Sequence, residues 1–346
     1  MERRQAKQMD PLQPIHLRPA GPRPATAPPA ARRPLAPGQF VLGANLPWLQ
    51  YGGDFGANAW NPKGGVAQPE RAAELEGAMA QLQAKGVTHL RWWLLGDGRN
   101  GVRFARDGTP LGLEPHLFDD MDAALAAATR HGITITFALT DFGWVQKGNG
   151  MGAVPAGDHG DTLKDPGKRH ALVDRVLTPI FQRYGQHPAI EAWDLFNEPE
   201  WVTRGWWTLP WKGVSRKQMH SYLEDAATAA HTYASQPVTV GLANAKGLSL
   251  VRDLGLDFYQ VHWYDYQERF VPLAQSLAKL KLDAPLVLGE YPSQASNKSV
   301  GQILDTAKRS GYAGAYAWSV YAHDKFTGGP GVLGAIAAWG KRQLGR

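Results

Sequence analysis

The sequence predicts an α/β protein, a single-domain (β/α)8 TIM barrel preceded by a disordered Pro-rich N-terminal tail. Three observations predict it. Short apolar runs rich in β-branched and aromatic residues alternate with amphipathic stretches from about residue 40 onward. Eight such strand–helix units fill about 305 residues, enough for one barrel of ~250 residues with insertions. The competing doubly wound sheet needs a glycine-rich phosphate turn after the first strand. GANLPWLQYGGDFG (43–56) has the wrong spacing and no helix directly after it.

The elements follow in order. FVLGANL (40–46) reads as the first strand, and 69–86 as a helix with Leu75, Met79 and Leu82 on one face and Gly86 as its stop. The second strand is VTHLRWWLL (87–95), followed by a small hairpin over 103–111 that turns at Asp107-Gly108. A helix at 118–132 leads into the third strand, ITITFAL (133–139). A Gly/Asp-rich loop (140–166) and a helix at about 168–184 precede the fourth strand, which begins at Ile190. After a Trp-rich loop (201–214) come a helix (215–234), the fifth strand (237–243) and a short helix near 246–253. DFYQVHW (257–263) is the sixth strand, with a helix expected over 271–281. PLVLGE (285–290), a helix (299–310), AGAYAWS (313–319) and a closing helix (331–343) complete the barrel.

Charge is concentrated away from this domain. Residues 1–37 hold seven Lys/Arg against two Asp/Glu, so they supply +5 of the net +6, and they carry nine of the 25 prolines. Proline at that density removes backbone donors and holds φ, which predicts an extended tail or linker (1–37) ahead of the globular domain (38–346). The near-neutral remainder offers no basic face, so no nucleic-acid partner is expected. The absence of cysteine excludes disulfides, thiolate metal sites and thiol nucleophiles. No apolar run approaches the ~20 residues that span a bilayer, and a monomer is expected. The N-terminus is basic but has no apolar segment, so it does not read as a signal peptide. The compartment is open: cytoplasmic if Met1 is the native start, secreted or periplasmic if a leader precedes it.

Two strand ends carry chemistry. IEAWDLFNEPE (190–200) is an apolar run whose last polar residues, Asn197 and Glu198, stand where the strand runs out, and PLVLGEYP (285–292) likewise ends in Glu290. Carboxylates at the ends of buried strands are costly unless they work, and barrel active sites are built at that end. Two of them suggest a two-carboxylate mechanism. Asp158, His159 and Asp161 in the 140–166 loop have no regular element to set metal-ligand geometry, so they are read as solvated loop and no metal or other cofactor is expected.

WDLFNEPE (193–200) resembles the fourth-strand Asn-Glu-Pro motif of clan A glycoside hydrolases, and VLGEYP (287–292) their seventh-strand nucleophile motif. Order and spacing resemble most the family 5, cellulase- and mannanase-like retaining β-glycanases, over residues 40–346. The resemblance implies a catalytic domain that cleaves a β-linked glucan- or mannan-like glycan by double displacement. Glu198 would be the acid/base and Glu290 the nucleophile. It further implies that Asn197 binds the sugar 2-hydroxyl, that Arg91 holds the nucleophile ionised, and that Tyr264 hydrogen-bonds it. His262 would line the pocket, and Trp318 would lie under the sugar at the cleavage point. Trp201, Trp206, Trp207 and Trp211 crowd the loop after Glu198, where at least one is expected in a sugar subsite; Trp48, Tyr51 and Asp54 are further binding candidates. One departure stands out: the family's third-strand histidine is absent, and Thr140 or Asp141 occupies its place. An exo-acting or transglycosylating relative would use the same carboxylates. A glycan-binding protein would keep the tryptophans and lose the acids, and a metal-dependent barrel hydrolase would need more strand-end histidines than His262.

Overall fold

The computed structural model describes Leu35 and residues 39–148, 154–206 and 212–345. The expected tail lies almost wholly outside the described residues, as do Trp207 and Trp211. Eight parallel strands close into a barrel. They are β1 (Val41–Leu46), β2 (His89–Gly96), β5 (Thr134–Thr140), β6 (Ile190–Asn197), β7 (Val238–Leu242), β8 (Tyr259–His262), β9 (Leu286–Pro292) and β10 (Gly314–Trp318). The expected hairpin is there as β3 (Val102–Phe104) and β4 (Pro110–Leu113), antiparallel and outside the barrel. Each barrel strand pairs with its sequence neighbours in the cycle, and β1 closes against β10 through Val41–Gly314 to Ala44–Ala317. No helix among the described residues is long and apolar enough to cross a membrane.

The helices lie where the apolar spacing puts them. α1 (Pro69–Ala84) buries Leu75, Met79 and Leu82, and Gly86 follows it at φ +69°, a conformation that costs glycine little. α2 (Leu117–Arg130) follows the hairpin. The helix expected at about 168–184 forms over 166–184 but is interrupted by a π turn at Val173–Leu177. Pro179, which has no N–H to donate, sits just beyond that turn, and the wider turn absorbs the missing rung. Ser215 and Ser299 each form a capping box, with Gln218 and Gln302, at the starts of the helices Arg216–Tyr233 and Val300–Ser310.

One expected helix is absent. Over 271–281 the chain makes only a 3-10 turn at Leu277–Leu280. The buried anchors there, Val271 and Leu273, are two residues apart with Pro272 between them, and the Leu273 N–H donates to the Glu268 carboxylate (2.9 Å). Pro272 has no N–H to donate, and the Gln275 N–H closes a turn on Pro272 O (3.1 Å), so the segment bends before a helix can start.

The barrel interior is layered. At its floor Leu35 packs with Ala192, Phe258, Val287 and Tyr316. Above them His89 stacks on Tyr316 (4.9 Å between centroids) and bonds both Thr134 and Thr136. Higher still the interior is charged, and the site is built there.

The long first loop is tied down by two carboxylates. Asp120 on α2 accepts from the N–H groups of Gly56, Gly65 and Ala67 at 2.8–2.9 Å. Asp54, called above a binding candidate, accepts from Leu49 N, Gln50 N, Trp92 Nε1 and Arg71 Nη2 and so holds the loop's own shape. Asp120→Ala would leave three loop donors without an acceptor, at about 1–3 kcal/mol for each buried one. Denaturant unfolding should show a loss of about 3 kcal/mol or more; a variant as stable as the parent would show that the clasp contributes nothing.

Candidate active site

The site begins with Arg91. It is fully buried on β2, and its guanidinium donates to four side chains on three other strands. Nε and Nη2 hold Asp194 Oδ2 (2.8 and 2.7 Å), Nη1 holds Glu290 Oε1 (2.8 Å) and Asn45 Oδ1 (3.1 Å), and Nη2 also reaches Asn197 Oδ1 (2.7 Å). Burying one cation with two carboxylates is tolerable because nearly every donor and acceptor is matched. Asp194 takes two further bonds, from Gln260 Nε2 (2.8 Å) and Gly241 N (2.9 Å). Space for this layer comes from glycine: a Cβ on Gly241 would fall 2.5 Å from Arg91 Nη2, and one on Gly289 2.4 Å from Gln260 Cγ.

Glu198 follows β6 in the left-handed region (φ 51°, ψ 57°), a strained backbone for a residue with a side chain. That turn aims its carboxyl across the barrel mouth toward Glu290 on β9. One oxygen from each carboxyl and the His262 Nδ1 lie within 4.8 Å of one another. His262 Nδ1 stands 2.8 Å from Glu198 Oε1 and 3.4 Å from Glu290 Oε2, so one proton bridges the ring and Glu198. Three such groups also have the donor types a metal ion takes. Tyr264 donates to Glu290 Oε2 (2.8 Å) and Trp201 Nε1 donates to Glu198 Oε2 (2.8 Å).

Burial raises both carboxyls, and their partners distinguish them. Glu198 is pushed up to about 7 by burial, with the Trp201 indole and the Arg91 charge pulling weakly the other way. Glu290 is also raised by burial, against the directly bonded Arg91 and the Tyr264 hydroxyl. His262 is pushed down to about 4 by burial, so the imidazole is neutral.

The structure therefore brings Arg91, Asn197, Glu198, His262, Tyr264 and Glu290 into one bonded cluster. His262 departs from its expected place: its side chain is wholly buried between the carboxyls, so it is no pocket wall. Trp201 bonds Glu198 directly. Trp318 stands at the end of β10, its Nε1 held by Asp324 (2.7 Å) and its ring edge against Trp93 (5.5 Å). Trp48 packs edge-on to Tyr51 (4.7 Å) farther out. Trp206 packs on the hydrophobic core with the Arg216 guanidinium over its ring (5.3 Å). At the third strand, Thr140 is buried in the wall and bonds Leu195 O, leaving Asp141 to face the mouth. His159, read as solvated, is stacked face to face on Phe104 (4.1 Å).

Sequence reading missed Asp194, Gln260, Asn45 and the buried Glu200, whose carboxyl accepts from Ala243 N (3.1 Å) and is pushed up to about 8 by burial. A signal for Asp194 was available: an acid in mid-run of a buried strand requires a buried cation.

A closed (β/α)8 barrel with two carboxyls this close at its strand ends defines a retaining glycoside hydrolase, because inverting enzymes hold theirs ~6.5–9.5 Å apart. No family model matches the chain. It is 28% identical over 328 residues to a mannan endo-1,4-beta-mannosidase of Mytilus edulis, covering 81% of this chain and 83% of that protein. A mannan endo-1,4-beta-mannosidase of Arabidopsis thaliana is 25% identical, with 85% of this chain and 77% of that protein covered. Among solved structures, the β-mannanase of the blue mussel Mytilus edulis superposes with a TM-score of 0.72 at 25% identity, covering 88% of this chain and 93% of that one. The endo-1,4-beta-mannanase of Eisenia fetida has the same fold (TM-score 0.74, 20% identity, 87% and 91% covered). The chain resembles the clan A glycoside hydrolases of the family 5, mannanase-like kind.

Tyr264→Phe removes one hydrogen bond to a buried carboxylate, worth about 1.5–3 kcal/mol for a charged acceptor. Turnover on any accepted substrate should fall about 10- to 100-fold, with the far-ultraviolet circular dichroism unchanged. Full activity would show that the Tyr264–Glu290 bond has no role in turnover.

Proposed function

We propose that the protein is an endo-acting β-1,4-mannanase in which Glu198 is the acid/base and Glu290 the nucleophile. The observation that carries the assignment of roles is the asymmetry of the pair. Glu290 is held by a guanidinium and a phenol, partners that favour its ionised form against burial. Glu198 has one indole donor and shares a proton with neutral His262. The mannan substrate is supported by the activities of the relatives, mannan endo-1,4-beta-mannosidases. Endo action is supported by an aromatic ledge running outward from the nucleophile. Tyr266 is half exposed and stacks parallel to Tyr264 at 5.8 Å, and Phe326 stands 6.5 Å from it.

In this reading a mannosyl unit lies on Trp318, whose flat face suits the apolar C–H side of a sugar. The Arg91 bond fixes the Asn197 amide oxygen, which leaves its NH2 for the 2-hydroxyl. Glu290 attacks the anomeric carbon while Glu198 gives its proton to the leaving oxygen. Glu198, now a carboxylate, then takes a proton from the water that releases the sugar.

Incubated with β-mannan, β-glucans and xylan, the protein should release a ladder of mannose oligomers from mannan. A single small product would reject endo action, and release from glucan alone would reject the mannan assignment. Glu290→Ala should lose more than ~10³-fold in kcat while staying folded, because Arg91 keeps Asp194 as a partner. Added azide should give a glycosyl azide of inverted configuration, and turnover at the parent's level would sink the assignment.

The acid/base must be protonated to donate. With Glu198 raised to about 7, kcat/KM should fall as pH rises through about 7. Trp201→Phe deletes a donor that favours the carboxylate, so the alkaline limb should move to higher pH. A limb that stays put or moves down would mean that Glu198 is not the group it reports.

A further inference from the structure

Glu200 stands two residues beyond the acid/base of the reaction proposed above, the reading on which this inference rests, and its carboxyl is buried. We propose that Glu200 is a positioning residue of that acid/base: its carboxyl fastens the strained turn that carries Glu198 to the loop after β7.

Three observations carry it. The first is where the carboxyl is bonded. Glu198 sits in the left-handed region (φ 51°, ψ 57°), its N–H on Gly241 O of β7 (2.6 Å) and its carbonyl accepting from Trp201 N (3.2 Å). Glu200, inside the same turn, accepts from Ala243 N, one residue past β7 (3.1 Å). The Ala243 carbonyl in turn accepts from Gln267 Nε2 (3.0 Å), in the turn that follows Tyr264. A belt of Glu200, Ala243 and Gln267 thus ties the segment bearing Glu198 to the one bearing His262 and Tyr264.

The second is the room left for the group. Gly247 lies outside the left-handed region, so its backbone does not call for glycine. A Cβ there would collide with Glu200 Oε1 and lie 2.9 Å from its Cδ. The loop after β7 is closed around this acid.

The third is its charge. Glu200 Oε1 is buried with no hydrogen-bond partner among the described residues, and an ionised carboxyl there would lack donors to offset its desolvation. Burial accordingly pushes the group up to about 8, against the N–H groups of Ala243, Glu200 and Asn244, so at neutral pH it is mainly the uncharged acid. It puts no second negative charge beside Glu198 and acts through backbone geometry. Trp201, whose indole bonds Glu198 Oε2, is the next residue of the turn. A displacement of about 1 Å in such a constellation costs on the order of 100-fold in rate.

The test separates proton donation from the other steps. Dinitrophenolate departs without a proton, so kcat/KM on a dinitrophenyl β-glycoside of mannotriose does not depend on the acid, whereas cleavage of mannohexaose does. Glu200→Ala should lose about 10- to 100-fold in kcat/KM on mannohexaose and less than about threefold on the dinitrophenyl glycoside. Glu200→Gln keeps an acceptor for Ala243 N and should stay within about threefold of the parent on both substrates. Gly247→Ala, which displaces the carboxyl without deleting it, should repeat the Glu200→Ala pattern, and it decides the matter if Glu200→Ala does not fold. Equal loss on the two substrates, no loss on either, or a Glu200→Gln protein as impaired as Glu200→Ala overturns the role. Glu198→Ala is the control for the underlying reading: it should lose mannohexaose cleavage and keep kcat/KM on the dinitrophenyl glycoside. If it loses both alike, the acid/base assignment itself fails, and this inference with it. If the parent cleaves glucan in place of mannan, the same pair of substrates is made from cellulose oligomers.

Discussion

Four strands of this barrel meet on one guanidinium. Arg91 rises from β2 into the interior and binds Asp194 and Asn197 from β6, Glu290 from β9 and Asn45 from β1. A buried cation without acceptors would cost several kcal/mol, so the arrangement of its partners is tightly restricted. Asp194 is its closest carboxylate partner and is itself held by Gln260 and the Gly241 N–H. Glu290 shares the same cation and is thereby kept within reach of Glu198. Asp194 thus steadies the cation that holds Glu290 in place beside Glu198.

The cost of this layer is met by side chains that are absent. Large polar groups converge inside the barrel where Gly241 and Gly289 leave room, and any Cβ at those positions would strike Arg91 or Gln260. Below, the floor is closed by Tyr316 and Leu35 among small and apolar neighbours. The interior thus passes from apolar floor to charged mouth within a few residues of each strand. Desolvation raises the carboxyls at that mouth, and bonded partners then tell them apart.

Much of this was legible in the order of residues. Strand and helix periods placed nearly every element, since each buries one face against a fixed neighbour layer. The failure at 271–281 is instructive: a composition suited to a helix was overridden by Pro272 and the turn it closes with Gln275. Glu198, Glu290 and Asn197 were visible as polar residues at strand ends, and Arg91 and Tyr264 through the resemblance to family 5. Asp194 was not singled out, although it interrupts an apolar run, because its partner lies 103 residues away on β2.

The sequence by itself determined the barrel, the strand ends that carry acids and the richness in tryptophan, because these follow from local periodicity and residue type. Only the tertiary structure decided what each polar group is next to. It buried His262 between the carboxyls instead of on a pocket wall, turned Trp201 onto Glu198, carried Trp206 away to Arg216, and set Trp48 and Asp141 around a separate cavity. Such contacts depend on the closure of the barrel, which brings residues far apart in the chain within hydrogen-bonding distance. Burial and partner together set a carboxyl's proton affinity, and neither exists until the strands have closed.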